Sequence, residues 1–126
     1  MSRLDVSRAI PIASERDFDD WLSAHGRSVP EVVVAIHNKA SGKQTVTFAA
    51  LQEAALCHGW VDTQTRRIDD ERYAIRFVPR RPGSNWSPTN RRLARRLLAE
   101  GRMTPAGAAT LPADLRSPGS ERPASS

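Results

Sequence analysis

The run Glu31-Val-Val-Val-Ala-Ile-His-Asn38, which follows Pro30, constrains this chain more than any other stretch. β-Branched side chains are stiff at χ1, which lowers their helix propensity and suits a pleated surface. A half-exposed strand would alternate apolar with polar residues; this run is continuous, and so reads as the central buried strand of a sheet. The 126 residues that must cover it leave room for one domain with a modest single core.

The flanking segments have the periods of that cover. Ser14 and Asp17 form a capping-box-like start, and Phe18, Trp21 and Leu22 recur at helical spacing until Gly26, which places Trp21 in the core. Thr47 caps a second helix, 48–58, with Phe48, Leu51, Ala55 and Leu56 as its apolar stripe and Gly59 as a left-handed stop. From Thr63 to Val78 the pattern is a hairpin turning at Asp69-Asp70-Glu71. Tyr73, Ile75 and Phe77 alternate onto one face; Arg72, Ala74, Arg76 and Val78 take the other. Ser87-Pro88 opens a third helix, 88–100, and Thr104-Pro105 repeats the signal for a short fourth. The expected fold is α+β: a small, mainly antiparallel sheet of about three strands (32–37, 60–67 and 72–78) packed with three to four helices. Residues 1–13 read as an irregular lead-in in which Ile10 to Ile12 could form an edge strand, residues 14–109 as the domain, and residues 110–126 as a disordered tail.

Composition narrows the function classes. No apolar run approaches the roughly 20 residues of a membrane helix, and the first residues lack the apolar core of an export signal, so a cytoplasmic protein is expected. Cys57, the single cysteine, reads as a small buried hydrophobe; with no second cysteine and no spaced histidine pair, no metal is expected, and no dinucleotide fingerprint calls for a cofactor. Lys39-Ala-Ser-Gly-Lys43 lacks phosphate-loop spacing and reads as a solvated turn, and His37 as a strand-end residue.

The net charge of +5 is uneven: residues 76–102 hold eight arginines against one acid, Glu100, leaving the rest slightly acidic. The densest chemistry lies from Arg76 to Asn90, in a loop restrained by Pro79, Pro82 and Pro88. Guanidinium groups there are suited to carboxylate or phosphate, and free amides at the start of the following helix favour an anion. Arg91, Arg92, Arg95 and Arg96 form two i, i+4 pairs that repel unless an anion or carboxylate lies between them.

Four blocks, Ala54-Ala-Leu-Cys-His-Gly-Trp-Val-Asp62, Arg72-Tyr-Ala-Ile-Arg-Phe-Val-Pro-Arg-Arg81, Ser84-Asn-Trp-Ser-Pro-Thr-Asn90 and Gly101-Arg-Met-Thr-Pro-Ala-Gly107, together resemble the YdeI/OmpD-associated proteins of bacteria, also called bacteriocin-protection proteins. The resemblance covers roughly residues 14–109 and implies a link to envelope stress or protection against antibacterial peptides, without naming a substrate or reaction. The characteristic polar positions it implies are Trp60, Asp62, Arg76, Pro79, Arg80, Ser84, Trp86, Ser87 and Asn90. The chain departs from the pattern at His58, where relatives are usually aromatic, and in its low-complexity tail, which replaces a longer helical region.

Three functional readings follow. The first is a binding module for an anionic small molecule or acidic peptide, in a pocket between the Trp60–Asp62 turn and the Arg80–Asn90 loop. Arg76 and Arg80 would give charged donors, Ser84, Ser87 and Asn90 neutral ones, and Trp86 a flat wall. Its structural counterpart is a salt bridge from Asp62 to Arg76 or Arg80 in a loop that merely ties sheet to helix. The second reading is nucleic-acid binding through the arginine-rich helix 88–100, with no recognised motif. The third is an enzyme using Asp62 and His58, or Ser84 and Ser87 near His37, with no catalytic spacing to join them.

Overall fold

In a computed structural model, which describes residues 4–81 and 86–116, the valine run forms the second strand of a four-stranded mixed sheet. The strands are β1 (Ile10–Pro11), β2 (Val32–His37), β3 (Trp60–Arg67) and β4 (Arg72–Pro79), in the order β1-β2-β4-β3. β2 is antiparallel to β4, with Val34 opposite Ile75, and β4 is antiparallel to β3. The expected count of about three strands is corrected by β1, which pairs in parallel with β2 through Ile10–Val34 and Pro11–Ala35. Proline donates no amide, so Pro11 suits the edge and helps to stop the sheet there.

Among the described residues five α-helices form: α1 (Glu15–His25), α2 (Phe48–Cys57), α3 (Pro88–Ala99), α4 (Pro105–Ala108) and α5 (Ala113–Arg116). Hydroxyls of Ser14, Thr47, Ser87 and Thr104 each accept the amide three residues on, at 3.0–3.1 Å. Asp17 reaches back past the cap to the Ala13 amide, at 3.3 Å.

Both faces of the sheet are covered, as the continuous run requires. On one face Val32, Val34, Ile36, Ile75 and Phe77 pack with Phe18 and Leu22 of α1 and Leu51, Ala54 and Ala55 of α2. The Phe18 and Phe77 rings lie 4.8 Å apart at a tilt, within the favourable range for aromatic pairs. On the other face the lead-in lays Leu4, Val6 and Ala9 over Val33 and Ala74. The lead-in is thus half of the sheet's cover, because a strand apolar on both sides would otherwise expose one of them.

A second apolar cluster joins α2 to the C-terminal helices through Leu56, Cys57, Ala94, Leu97, Leu111 and Leu115. Within the stretch expected to be a tail from residue 110, Leu111 and Leu115 are buried and α5 is formed; residues 117–126 lie outside the described residues. Leu115 of α5 and Leu111, just before that helix, both pack into this cluster.

Candidate functional site

The β3–β4 ladder decides where the sequence-nominated side chains go. Thr63 is an extra residue between the pairs Asp62–Phe77 and Gln64–Arg76, a bulge that switches the side-chain alternation along β3. Asp62 therefore shares the helix-covered face with Phe77, whereas Arg76 points to the opposite face. There Arg76 Nε donates to Glu31 Oε1 at 2.5 Å and its Nη1 to the Thr63 hydroxyl at 3.2 Å, while Arg8 binds the other Glu31 oxygen at 3.0 Å. Hydrogen bonds from Arg76 outweigh burial and hold the Glu31 carboxyl below its ordinary value.

Arg80 and Trp86 do meet, with Asp62 near enough to act on the guanidinium electrostatically. The Arg80 amide donates to Gly59 O at 2.7 Å, directing the side chain inward at the end of β4, where the residue is only 8% exposed. Its guanidinium carbon lies 4.1 Å from the centre of the Trp86 ring, and Trp86 packs against the second apolar cluster. Burial lowers the Arg80 pKa and the Asp62 carboxylate opposes that shift. Asp62 also accepts from Gln52 Nε2 at 3.2 Å. This corner fastens sheet to helix, and Arg80 is part of its fabric.

The remaining nominated residues divide. Ser87 is spent as the α3 cap, accepting the Asn90 amide, and Pro88 has no amide to offer, so the start of α3 is a weaker anion cradle than its sequence suggests. Pro79 ends β4, paired with Trp60. Trp60 is 2% exposed and meets Trp21 edge-on, with ring centres 6.2 Å apart. Ser84 lies outside the described residues.

The pairing of His58 with Asp62 on which the acid–base reading depended is not formed. His58 Nε2 instead lies 2.7 Å from Asp19 Oδ1 on α1, in a pair whose histidine side chain is 8% exposed. This partner is 39 residues away in sequence, and no local spacing announces it.

Much of the basic helix is neutralised from within the fold. Arg91 pairs with Asp114; Arg96 reaches Glu53 at 2.7 Å and Glu100 at 3.4 Å. Arg102 pairs with Glu15 and lies 3.0 Å from Glu53 and 3.5 Å from Glu100. The network joins α1, α2 and α3, and sequence reasoning missed its acids because Glu15 and Glu53 look like ordinary solvated helix residues. Arg81, Arg92 and Arg95 are exposed and form no ion pair with the described residues; Arg92 touches only the Thr89 hydroxyl, at 3.5 Å.

These elements define the protein as a small α+β domain with a basic corner where β4 passes to α3. The chain belongs to a family described as a domain of unknown function, DUF8412, whose profile matches residues 10–110. No curated protein and no solved structure matches it significantly. Among the described residues no helix is long and apolar enough to cross a membrane.

Proposed function

We propose that this protein is a binding module for an anionic ligand, a small molecule or an acidic peptide, held at the junction of β4 and α3. The supporting observation is the division of arginines there. Arg91, Arg96 and Arg102 have carboxylates, whereas Arg81, Arg92 and Arg95 are exposed without one among the described residues. Arg92 and Arg95 are one turn apart and repel each other, a cost that an anion between them would relieve. Arg80 and Trp86 act as the fixed floor of the corner and Asn90 as a neutral neighbour in the first turn of α3.

Nucleic acid is the weaker reading. With Arg91 and Arg96 already neutralised, three phosphate contacts would give a salt slope of only about −3. The link to YdeI/OmpD-associated proteins, with their envelope-stress or bacteriocin-protection role, belongs to the same proposal and rests on the four sequence blocks.

A thermal-shift screen of citrate, ATP, a hexaglutamate peptide and a short oligonucleotide at low and physiological salt tests the proposal. The expected result is a rise in melting temperature with an anion for the wild type and none after Arg81, Arg92 and Arg95 are all changed to Ala. An equal rise in the triple variant would refute it.

A further inference from the structure

Away from the basic corner, the last turn of α1 and the start of α4 flank a half-open cleft of about 250 Å3. Leu22, Pro105 and Ala106 supply apolar walls, and Ser23, Arg27, His58 and Trp60 the polar lining. Two of those polar groups are deeply seated.

Trp60 is 2% exposed as a residue, but its indole nitrogen keeps contact with the cleft and makes no hydrogen bond among the described residues. Gly26 faces it: a Cβ there would lie 3.3 Å from Trp60 Nε1 and 2.5 Å from Leu22 O. Gly26 has helical angles, φ −62° and ψ −15°, so its missing side chain matters as space beside the indole and not as backbone freedom. His58 is the second such group. Asp19 holds Nε2, and Nδ1 makes no hydrogen bond among the described residues. The Thr104 hydroxyl is already used, donating to Cys57 O at 2.6 Å and accepting the Gly107 amide at 3.1 Å.

We infer that this cleft is a binding site for a small organic carboxylate. The indole N–H can only donate, Arg27 adds a cation, and the Ser23 hydroxyl is a further donor, so the lining selects an acceptor-rich, negatively charged group. Leu22, Pro105 and Ala106 fit a short aliphatic body behind it. His58, held in place by Asp19, offers its second nitrogen to another polar group on the ligand. This site is independent of Arg81, Arg92 and Arg95.

The test is a titration of propionate, with propylamine as the cationic control of matching shape, followed by heteronuclear NMR of the three tryptophan indole N–H signals. Propionate is expected to move the Trp60 signal saturably, leave Trp86 still, and act equally on the triple arginine variant of the basic corner. Arg27→Ala, an exposed change that keeps the fold, is expected to weaken binding about tenfold. The inference is overturned if the Trp60 signal stays fixed, if it drifts without saturating, if propylamine moves it equally, or if Arg27→Ala binds as the wild type does.

Discussion

Gly107→Ala should be among the most damaging single-methyl changes in this protein. The added Cβ would lie 2.1 Å from Cys57 O, 2.6 Å from Cys57 C and 2.9 Å from Met103 Sδ. A methionine tip can swing aside; a backbone carbonyl at the end of α2 cannot, so α4 has to back away by roughly 1 Å to reach ordinary contact distance. That movement pulls on both hydrogen bonds to Cys57 O, from Thr104 N at 3.0 Å and Thr104 Oγ1 at 2.6 Å. It also loosens the cluster around Leu97, Leu111 and Leu115. Overpacking costs about 1–3 kcal/mol and each weakened hydrogen bond about 1 kcal/mol, against a gain below about 1 kcal/mol from placing alanine in a helix. The net expectation is a loss of about 3 kcal/mol, or roughly 12 °C in melting temperature for a domain of this size. Urea unfolding followed by far-UV dichroism measures it. The control is Gly42→Ala, where a Cβ meets nothing within 4 Å and only the φ of 73° is unfavourable, so about 1 kcal/mol is expected. A Gly107→Ala protein as stable as the wild type, or no worse than Gly42→Ala, would refute the close approach of α4 to α2.

Three further outcomes follow from the same contacts. For Glu53, burial would raise the carboxyl pKa, but hydrogen bonds from Arg96 and Arg102 outweigh it and hold the group below its ordinary value of 4.5. Its contribution is then complete above the unfolded value and lost as pH falls through the lower folded one, so Glu53→Gln should cost about 1 kcal/mol at neutral pH and flatten the acid limb of a stability–pH curve. Arg80→Ala should destabilise by about 2 kcal/mol through loss of the Trp86 stack and of its buried stem, whereas Arg81→Ala should stay within about 0.5 kcal/mol; equal effects in urea unfolding would contradict the tie between sheet and helix. Burial pushes the Cys57 thiol up to about 11, so the native protein should react slowly with a disulfide reagent at mildly alkaline pH and rapidly once unfolded. Fast labelling of the native chain would show that the second cluster is open.

What could be read from the sequence was what is local. The caps at Ser14, Thr47, Ser87 and Thr104 each require one hydroxyl and the amide three residues on, and all four hold. The central strand announced itself because Val32 to Ile36 are apolar on both faces. Contacts across long separations had no such signal. The edge strand allowed at Ile10 to Ile12 is β1, but its two pairs are too few for any period to give its partner or direction, and Leu111 and Leu115 lie amid residues that resemble a tail. At the candidate site the meeting of Arg80 with Trp86 follows from their nearness in one loop. The Thr63 bulge, which sends Asp62 and Arg76 to opposite faces, leaves no mark in residue type, and the pairing of His58 with Asp19 depends on how α1 lies against α2.

The measurement that tests the functional account most directly is a calorimetric titration of hexaglutamate peptide into the wild type and the Arg81, Arg92, Arg95 triple-alanine variant, each at low and physiological salt. These side chains are exposed, so unchanged unfolding curves are expected to accompany any loss of binding. The account predicts saturable binding to the wild type that weakens with salt and disappears in the triple variant. Absence of binding to the wild type, or equal affinity in the two proteins, would contradict it.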